Sequence, residues 1–227
     1  MSKPVKKRTT STPRERAALT LACLHLDYGQ AECALTHDGP FQLLAATILS
    51  AQCTDKIVNT VTPTLFARFP TPAALAAAEP AELERLIHST GFYRNKAKNL
   101  IGMARGLVER FGGEVPRTMG ELLSLPGVAR KTANVVLGTA FGIADGVVVD
   151  THVARLSHRL GLTRQQTPEK IEQALVKLLP REEWIFFSHA LIWHGRQVCA
   201  ARSPACERCR MNDFCPSATL DRKDARP

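Results

Sequence analysis

Four cysteines stand close together near the C-terminus: Cys199, Cys206, Cys209 and Cys215, with six, two and five residues between them. Four thiolates in so short a stretch form a ligand set, because loops of this length cannot build a core of their own. The chemistry open to them is a tetrahedral zinc ion or an iron–sulfur cluster. Zinc sites often show two Cys-x2-Cys pairs, and only one such pair is present, at 206 and 209. The other three cysteines, Cys23, Cys33 and Cys53, are scattered and read as small buried apolar residues. An odd total of seven, with no apolar secretory stretch at the N-terminus, points to a reducing, cytoplasmic setting.

A second group with chemical potential is Lys131 in Leu125-Pro126-Gly127-Val128-Ala129-Arg130-Lys131-Thr132-Ala133. Pro126 and Gly127 predict a tight turn between two helices. Backbone N–H groups freed by such a turn seat a phosphate without reading sequence. Lys131 then falls in the first turn of the second helix, where the positive helix end disfavours an ammonium. Burial would act in the same direction, toward the neutral amine that nucleophilic lysine chemistry needs. Taken alone, a lysine at a helix start is also an ordinary solvated charge.

Nineteen positions on, Val147-Val148-Val149-Asp150-Thr151-His152 runs from an apolar extended stretch into a helix. Asp150 reads as an N-cap. It is also a carboxylate delivered from a buried segment, able to face the same cavity as Lys131. His152 reads as a capping or packing residue, and Asp145 as a turn residue.

The elements that must position these groups read as helix after helix. Phe41, Leu44, Ala45, Ile48 and Leu49 follow helical spacing over 41–49. Thr71-Pro72 and Thr167-Pro168 are helix openings, the latter starting a helix over 168–179. Residues 80–89 form another helix, and 93–111 a longer one closed by Gly112-Gly113. Thr118 and Glu121 form a capping box for a short helix through Leu125. Further helices are expected at 129–141, 151–160 and about 181–197. No βαβ rhythm or 20–50-residue repeat is visible, so the fold class is all-α.

The formal charge is +9. The first sixteen residues hold six basic side chains against Glu15 alone, so they contribute more than half of that excess. The basic balance suggests a polyanionic partner, although a tail of this kind is also a plain solubilising segment. Residues 1–13 read as a disordered basic tail. No run of about 18 apolar residues exists, so no membrane span is expected.

Leu125–Ala133, Val149-Asp150-Thr151-His152 and the cysteine array together resemble the endonuclease III family of helix-hairpin-helix DNA glycosylases. Leu49-Ser50-Ala51-Gln52-Cys53-Thr54-Asp55 and Gly91-Phe92-Tyr93-Arg94-Asn95-Lys96-Ala97 carry the likeness further. It spans roughly residues 15 to 216. One departure is Ala129, where the hairpin more usually has glycine.

The resemblance implies a bifunctional glycosylase and abasic-site lyase acting on oxidised pyrimidines in double-stranded DNA. Lys131 would be the attacking amine and Asp150 its partner. Gln52 would enter the space left by the flipped nucleotide, and Phe92 would wedge against the opposite strand; from the sequence alone Phe92 reads more readily as a core residue. Gly127, Ala129 and Arg130 would meet the phosphate backbone. The four cysteines would hold a [4Fe–4S] cluster pinning a DNA-touching loop, in which Arg202 is the one basic residue. The implied architecture is a six-helix domain at 36–144, and a cluster domain joining 14–35 to 145–227, with DNA in a cleft between them and the chain acting as a monomer. Competing readings are a monofunctional mismatch glycosylase, whose family members lack a lysine at position 131, a non-enzymatic helix-hairpin-helix DNA-binding module, and a zinc-stabilised interaction protein.

Overall fold

The computed structural model describes residues 11–219, which contain eleven α-helices, three short 3-10 turns and no strand. The chain divides into two compact units. One runs Cys33–Asp145; the other joins the chain up to Glu32 to the chain from Gly146. The N-terminal tail expected at 1–13 lies, for its first ten residues, outside the described residues, and Pro13 already begins a helix.

In the Cys33–Asp145 unit, α2 (Pro40–Leu49) is the central element. Its residues 43–49 are all buried. The sequence shows a one-sided apolar stripe, but Ala46 and Thr47 complete a helix apolar on nearly every face, as an enclosed helix must be. Thr47 satisfies its hydroxyl on the Leu43 carbonyl at 2.7 Å. Around α2 pack α3 (Asp55–Arg68), α6 (Tyr93–Phe111) and α8 (Arg130–Phe141), with α4 (Pro72–Ala76) and α5 (Pro80–Ile87) against α6 and α7 (Met119–Leu123) against α8. Helix α3 has no counterpart in the sequence reading. Pro63 lies inside it on an exposed face, and a mid-helix proline is normally a helix breaker.

Local signals place most ends. Thr71 and Thr118 accept from the backbone N–H groups of Ala74 and Glu121. The box at Thr118 is closed differently from the expectation: the Thr118 hydroxyl donates to the Glu121 carboxylate at 2.5 Å. A complete reciprocal box forms instead at Thr12 and Glu15. Helix α6 ends on Gly112 at φ 61°, a left-handed cap glycine takes at no steric cost.

The other unit comprises α1 (Pro13–Tyr28), α9 (Thr151–Arg159), α10 (Pro168–Leu178) and α11 (Trp184–Gln197). Its core joins Leu24, Val147, Leu156, Ile171, Leu175, Phe187 and Leu191. Val147–Val149 is buried and extended without a sheet, and Val148 N–H donates to Ser188 Oγ at 3.0 Å.

Candidate functional site

The hairpin at 125–130 is seated on one face of α6. A Cβ at Gly106 would stand 2.8 Å from Leu125 Cδ2, and one at Gly102 would stand 3.1 Å from Pro126 Cγ. Small residues at these two positions let the turn approach the helix. Arg110, one turn further on, donates to the Ser124 carbonyl and hydroxyl at 3.2 and 3.1 Å. Gly127 sits at φ +78°, and a Cβ there would lie 2.8 Å from Asn99 Cβ. Both backbone torsion and space therefore require glycine. Ala129, by contrast, is the N-cap of α8 at φ −94°, ψ 168°, an ordinary extended conformation, so alanine is unstrained there.

Alanine carries no oxygen to cap α8, and no side chain caps this helix end. Arg130 and Lys131 are its first two residues, both exposed. Burial of Lys131, one of the two influences expected from the sequence, is thus not supplied by the ligand-free chain.

Gln52 and Phe92 share an uncommon feature. Among the described residues they are the two non-glycine positions with positive φ, at 53° and 47°. Left-handed backbone costs a side-chain-bearing residue free energy, and it persists where surrounding contacts impose it, often at functional positions. Both side chains are exposed, Phe92 by 67%. The core alternative for Phe92 is therefore corrected: it is an aromatic ring held out from the surface at the N-cap of α6.

In the other unit Asp150 caps α9, its Oδ1 accepting from Val153 N–H at 2.8 Å. His152 is packed rather than free. Its Nδ1 lies 3.3 Å from Arg155 Nη2, and a Cβ on Gly195 would approach that Nδ1 to 2.8 Å. Burial, with Arg155 and Arg196 nearby, outweighs the Asp150 carboxylate and pushes its pKa down. Lys131, Gly127, Ala129, Arg130, Gln52 and Phe92 thus belong to one unit, and Asp150, Arg202 and the four cysteines to the other.

Cys199, Cys206, Cys209 and Cys215 line one pocket, together with Leu156, Leu160 and Val198. Burial, reinforced by the three neighbouring cysteines, pushes the Cys209 thiol up to about 11. No three His, Cys, Asp or Glu side chains among the described residues converge closely enough to hold a single metal ion. Four thiols that line one pocket without three of them converging on a single point suit a multi-atom cluster better than one tetrahedral ion.

The surrounding groups are ordered. Arg159 donates to Ala200 and Ala201 carbonyls at 2.7 Å, and Arg155 to the Cys199 carbonyl at 2.9 Å. His194, 3% exposed, lies 3.5 Å from Cys209 Sγ and 3.1 Å from the Tyr28 hydroxyl. Arg202 is exposed. Cys23, Cys33 and Cys53, expected to be buried, are half-buried.

Residues 45–181 match the HhH-GPD superfamily of base excision DNA repair proteins. The chain belongs to that superfamily. Within it, the sequence is 57% identical over 211 residues to endonuclease III of Synechocystis sp., covering 93% of this chain and 96% of the relative. It is 47% identical over 189 residues to endonuclease III of Bacillus subtilis, covering 83% and 86%. A solved non-covalent endonuclease III–DNA complex superimposes with a TM-score of 0.87 at 43% identity, covering 92% of this chain and 97% of that one. A trapped covalent endonuclease III–DNA intermediate gives the same score at 42% identity, covering 92% and 98%. The HhH-GPD match contains α3, α6, the hairpin and Asp150, and leaves out the cysteine array with Arg202 and His194. What the sequence reading missed was a role for Lys96, which is buried and donates to the Leu49 and Thr90 carbonyls.

Proposed function

We propose that this chain is a base-excision DNA glycosylase with abasic-site lyase activity, whose substrates are oxidised pyrimidines in double-stranded DNA and whose nucleophile is Lys131. The observation that carries the reading is the hairpin. A glycine-imposed turn delivers an uncapped helix end for phosphate, with an exposed lysine at the second position of that helix. Superfamily membership and the likeness to endonuclease III–DNA complexes support it.

The chemistry follows from an amine and a carboxylate. A flipped nucleotide brings its sugar to Lys131, and excluding water around the amine favours its neutral form. The amine nitrogen bonds to C1′ as the bond from C1′ to the base breaks; the base leaves with that electron pair and is protonated by water. Asp150 takes the proton released by the amine or stabilises positive charge on the sugar. Ring opening gives a protonated Schiff base, which acidifies C2′. Loss of a C2′ proton then expels the 3′ phosphate, and water releases Lys131. Gly127, Ala129 and Arg130 hold the backbone; Gln52 fills the vacated stack and Phe92 presses on the opposite strand.

The four cysteines fit a [4Fe–4S] cluster, which supplies structural cross-linking of the 199–215 segment. It fixes the loop of Arg202 as a backbone contact. The chain works as a monomer on DNA in the cytoplasm. No helix among the described residues is long and apolar enough to cross a membrane.

Borohydride trapping tests the reading on a duplex with one thymine glycol. Wild type is expected to form a covalent complex and Lys131→Ala none. Trapping on an abasic site but not on thymine glycol would keep the lyase and revise the substrate. DNA binding with no trapping on either would favour a monofunctional or non-enzymatic protein.

A further inference from the structure

Lys96 is 4% exposed, and its ammonium is held by the protein backbone. Nζ donates to the Leu49 carbonyl at 2.8 Å and to the Thr90 carbonyl at 2.7 Å. Leu49 is the last residue of α2, three positions before Gln52, and Thr90 ends a 3-10 turn two positions before Phe92. Two backbone carbonyls, one at the end of α2 and one at the end of the 3-10 turn, therefore accept charge-assisted hydrogen bonds from one buried cation. The cost of burial is visible in the amine's pKa, which desolvation pushes down. Lysine is seldom buried without a purpose that offsets that cost.

The two loops joined in this way are the ones that carry left-handed side-chain-bearing residues, Gln52 at φ 53° and Phe92 at φ 47°. Such torsions hold only where the neighbouring backbone is fixed. Lys96 also lies in the first turn of α6, the helix whose N-cap is Phe92 and whose later face seats the hairpin.

We propose that Lys96 is a positioning residue that couples the Gln52 loop to the Phe92 loop, so that the two side chains enter the duplex as one rigid element. This rests on the glycosylase/lyase reading above. Lys96 touches neither sugar nor base; it acts through two carbonyls. Abasic sugars in a free single strand need no displacement of an opposite strand, so they bypass the coupling.

The experiment is borohydride trapping on one abasic strand, alone and in duplex, for wild type, Lys96→Met and Lys96→Arg. Methionine keeps much of the length and removes the donors; arginine keeps a charged donor. Lys96→Met is expected to trap the duplex at least tenfold more slowly, with single-strand trapping within about twofold of wild type, and Lys96→Arg to recover part of the duplex rate. Gln52→Ala and Phe92→Ala are expected to be non-additive in the wild-type background and additive in the Lys96→Met background. Parallel loss on both strands, or an unchanged Gln52–Phe92 coupling, would overturn the proposal. If Lys96→Met does not fold, Lys96→Arg decides by the same ratio of duplex to single-strand rates. Absence of trapping by wild type on either strand would overturn the lyase reading, and the coupling with it.

Discussion

Arg159 donates to the Sγ of Cys199 across 3.2 Å while its other N–H groups hold the carbonyls of Ala200 and Ala201. One side chain on α9 thus fixes both Cys199, a proposed cluster ligand, and the start of the loop that follows it. Replacing it with leucine removes three charge-assisted bonds at once. We expect a stability loss of about 1–3 kcal/mol, and visible absorbance that bleaches several-fold faster under chelation or oxygen. Equal bleaching rates in wild type and Arg159→Leu would show that the loop holds itself.

Asp150 caps α9, and the proposed mechanism gives it a second, separable duty. An asparagine keeps an oxygen that can accept from Val153 N–H, so the α9 cap survives in Asp150→Asn. Thermal unfolding should then change by no more than about 0.5 kcal/mol, since asparagine and aspartate cap almost equally well. Excision should nevertheless fall by roughly 100-fold, the scale of a lost acid–base group. Full activity in this variant would reduce Asp150 to a cap.

Gly127→Ala meets two penalties, a left-handed φ of +78° and a Cβ 2.8 Å from that of Asn99. The expected cost is about 1–3 kcal/mol from strain and overpacking. Affinity for duplex DNA should drop with it, because the turn can no longer present its N–H groups. Ala129→Gly, at an unstrained φ of −94°, serves as the comparison and should leave affinity within about twofold of wild type.

Arg202 is the one basic residue between the first two cysteine ligands, and it is exposed. If it meets a phosphate, Arg202→Ala should flatten the dependence of log K on log salt by about 0.9. The sequence of the duplex should not matter. A slope equal to that of wild type would remove this loop from the contact surface.

Burial pushes the pKa of His189 down, against the opposing pull of Glu32. The folded state therefore resists a proton that the unfolded chain accepts below its ordinary value of about 6.5. Stability from this group is complete above that pH and is lost as pH falls from there toward the lower folded value, by at most about 1.4 kcal/mol per pH unit. In apparent stability measured from pH 7 to 5, His189→Gln should show a shallower fall than wild type. An identical slope would mean that other groups govern the acid response.

The sequence by itself determined what depends on near neighbours. Thr71, Thr167 and Asp150 cap helices because a short side-chain oxygen reaches an N–H three residues ahead. Gly112 ends α6 because it alone takes a left-handed torsion freely. The cysteine spacing set four thiols close together, and they line one pocket; the Pro126-Gly127 turn announced a hairpin with Lys131 just beyond it. Helix α3 was hidden because Pro63 speaks against a helix locally, while buried Val58, Val61 and Leu65 on the far side of it speak for one only once a core exists.

Tertiary structure decided the rest. Whether Gly102 and Gly106 were dispensable depended on Leu125 and Pro126 lying against them, some twenty residues away. Whether Phe92 was core or surface depended on what packed around it, and nothing in its own composition separates the two. Lys96 is bonded to a carbonyl 47 residues earlier in the chain, and no periodicity or cap carries that information. A lysine is expected in water until distant backbone atoms replace the water, and that replacement is a property of the packed fold alone.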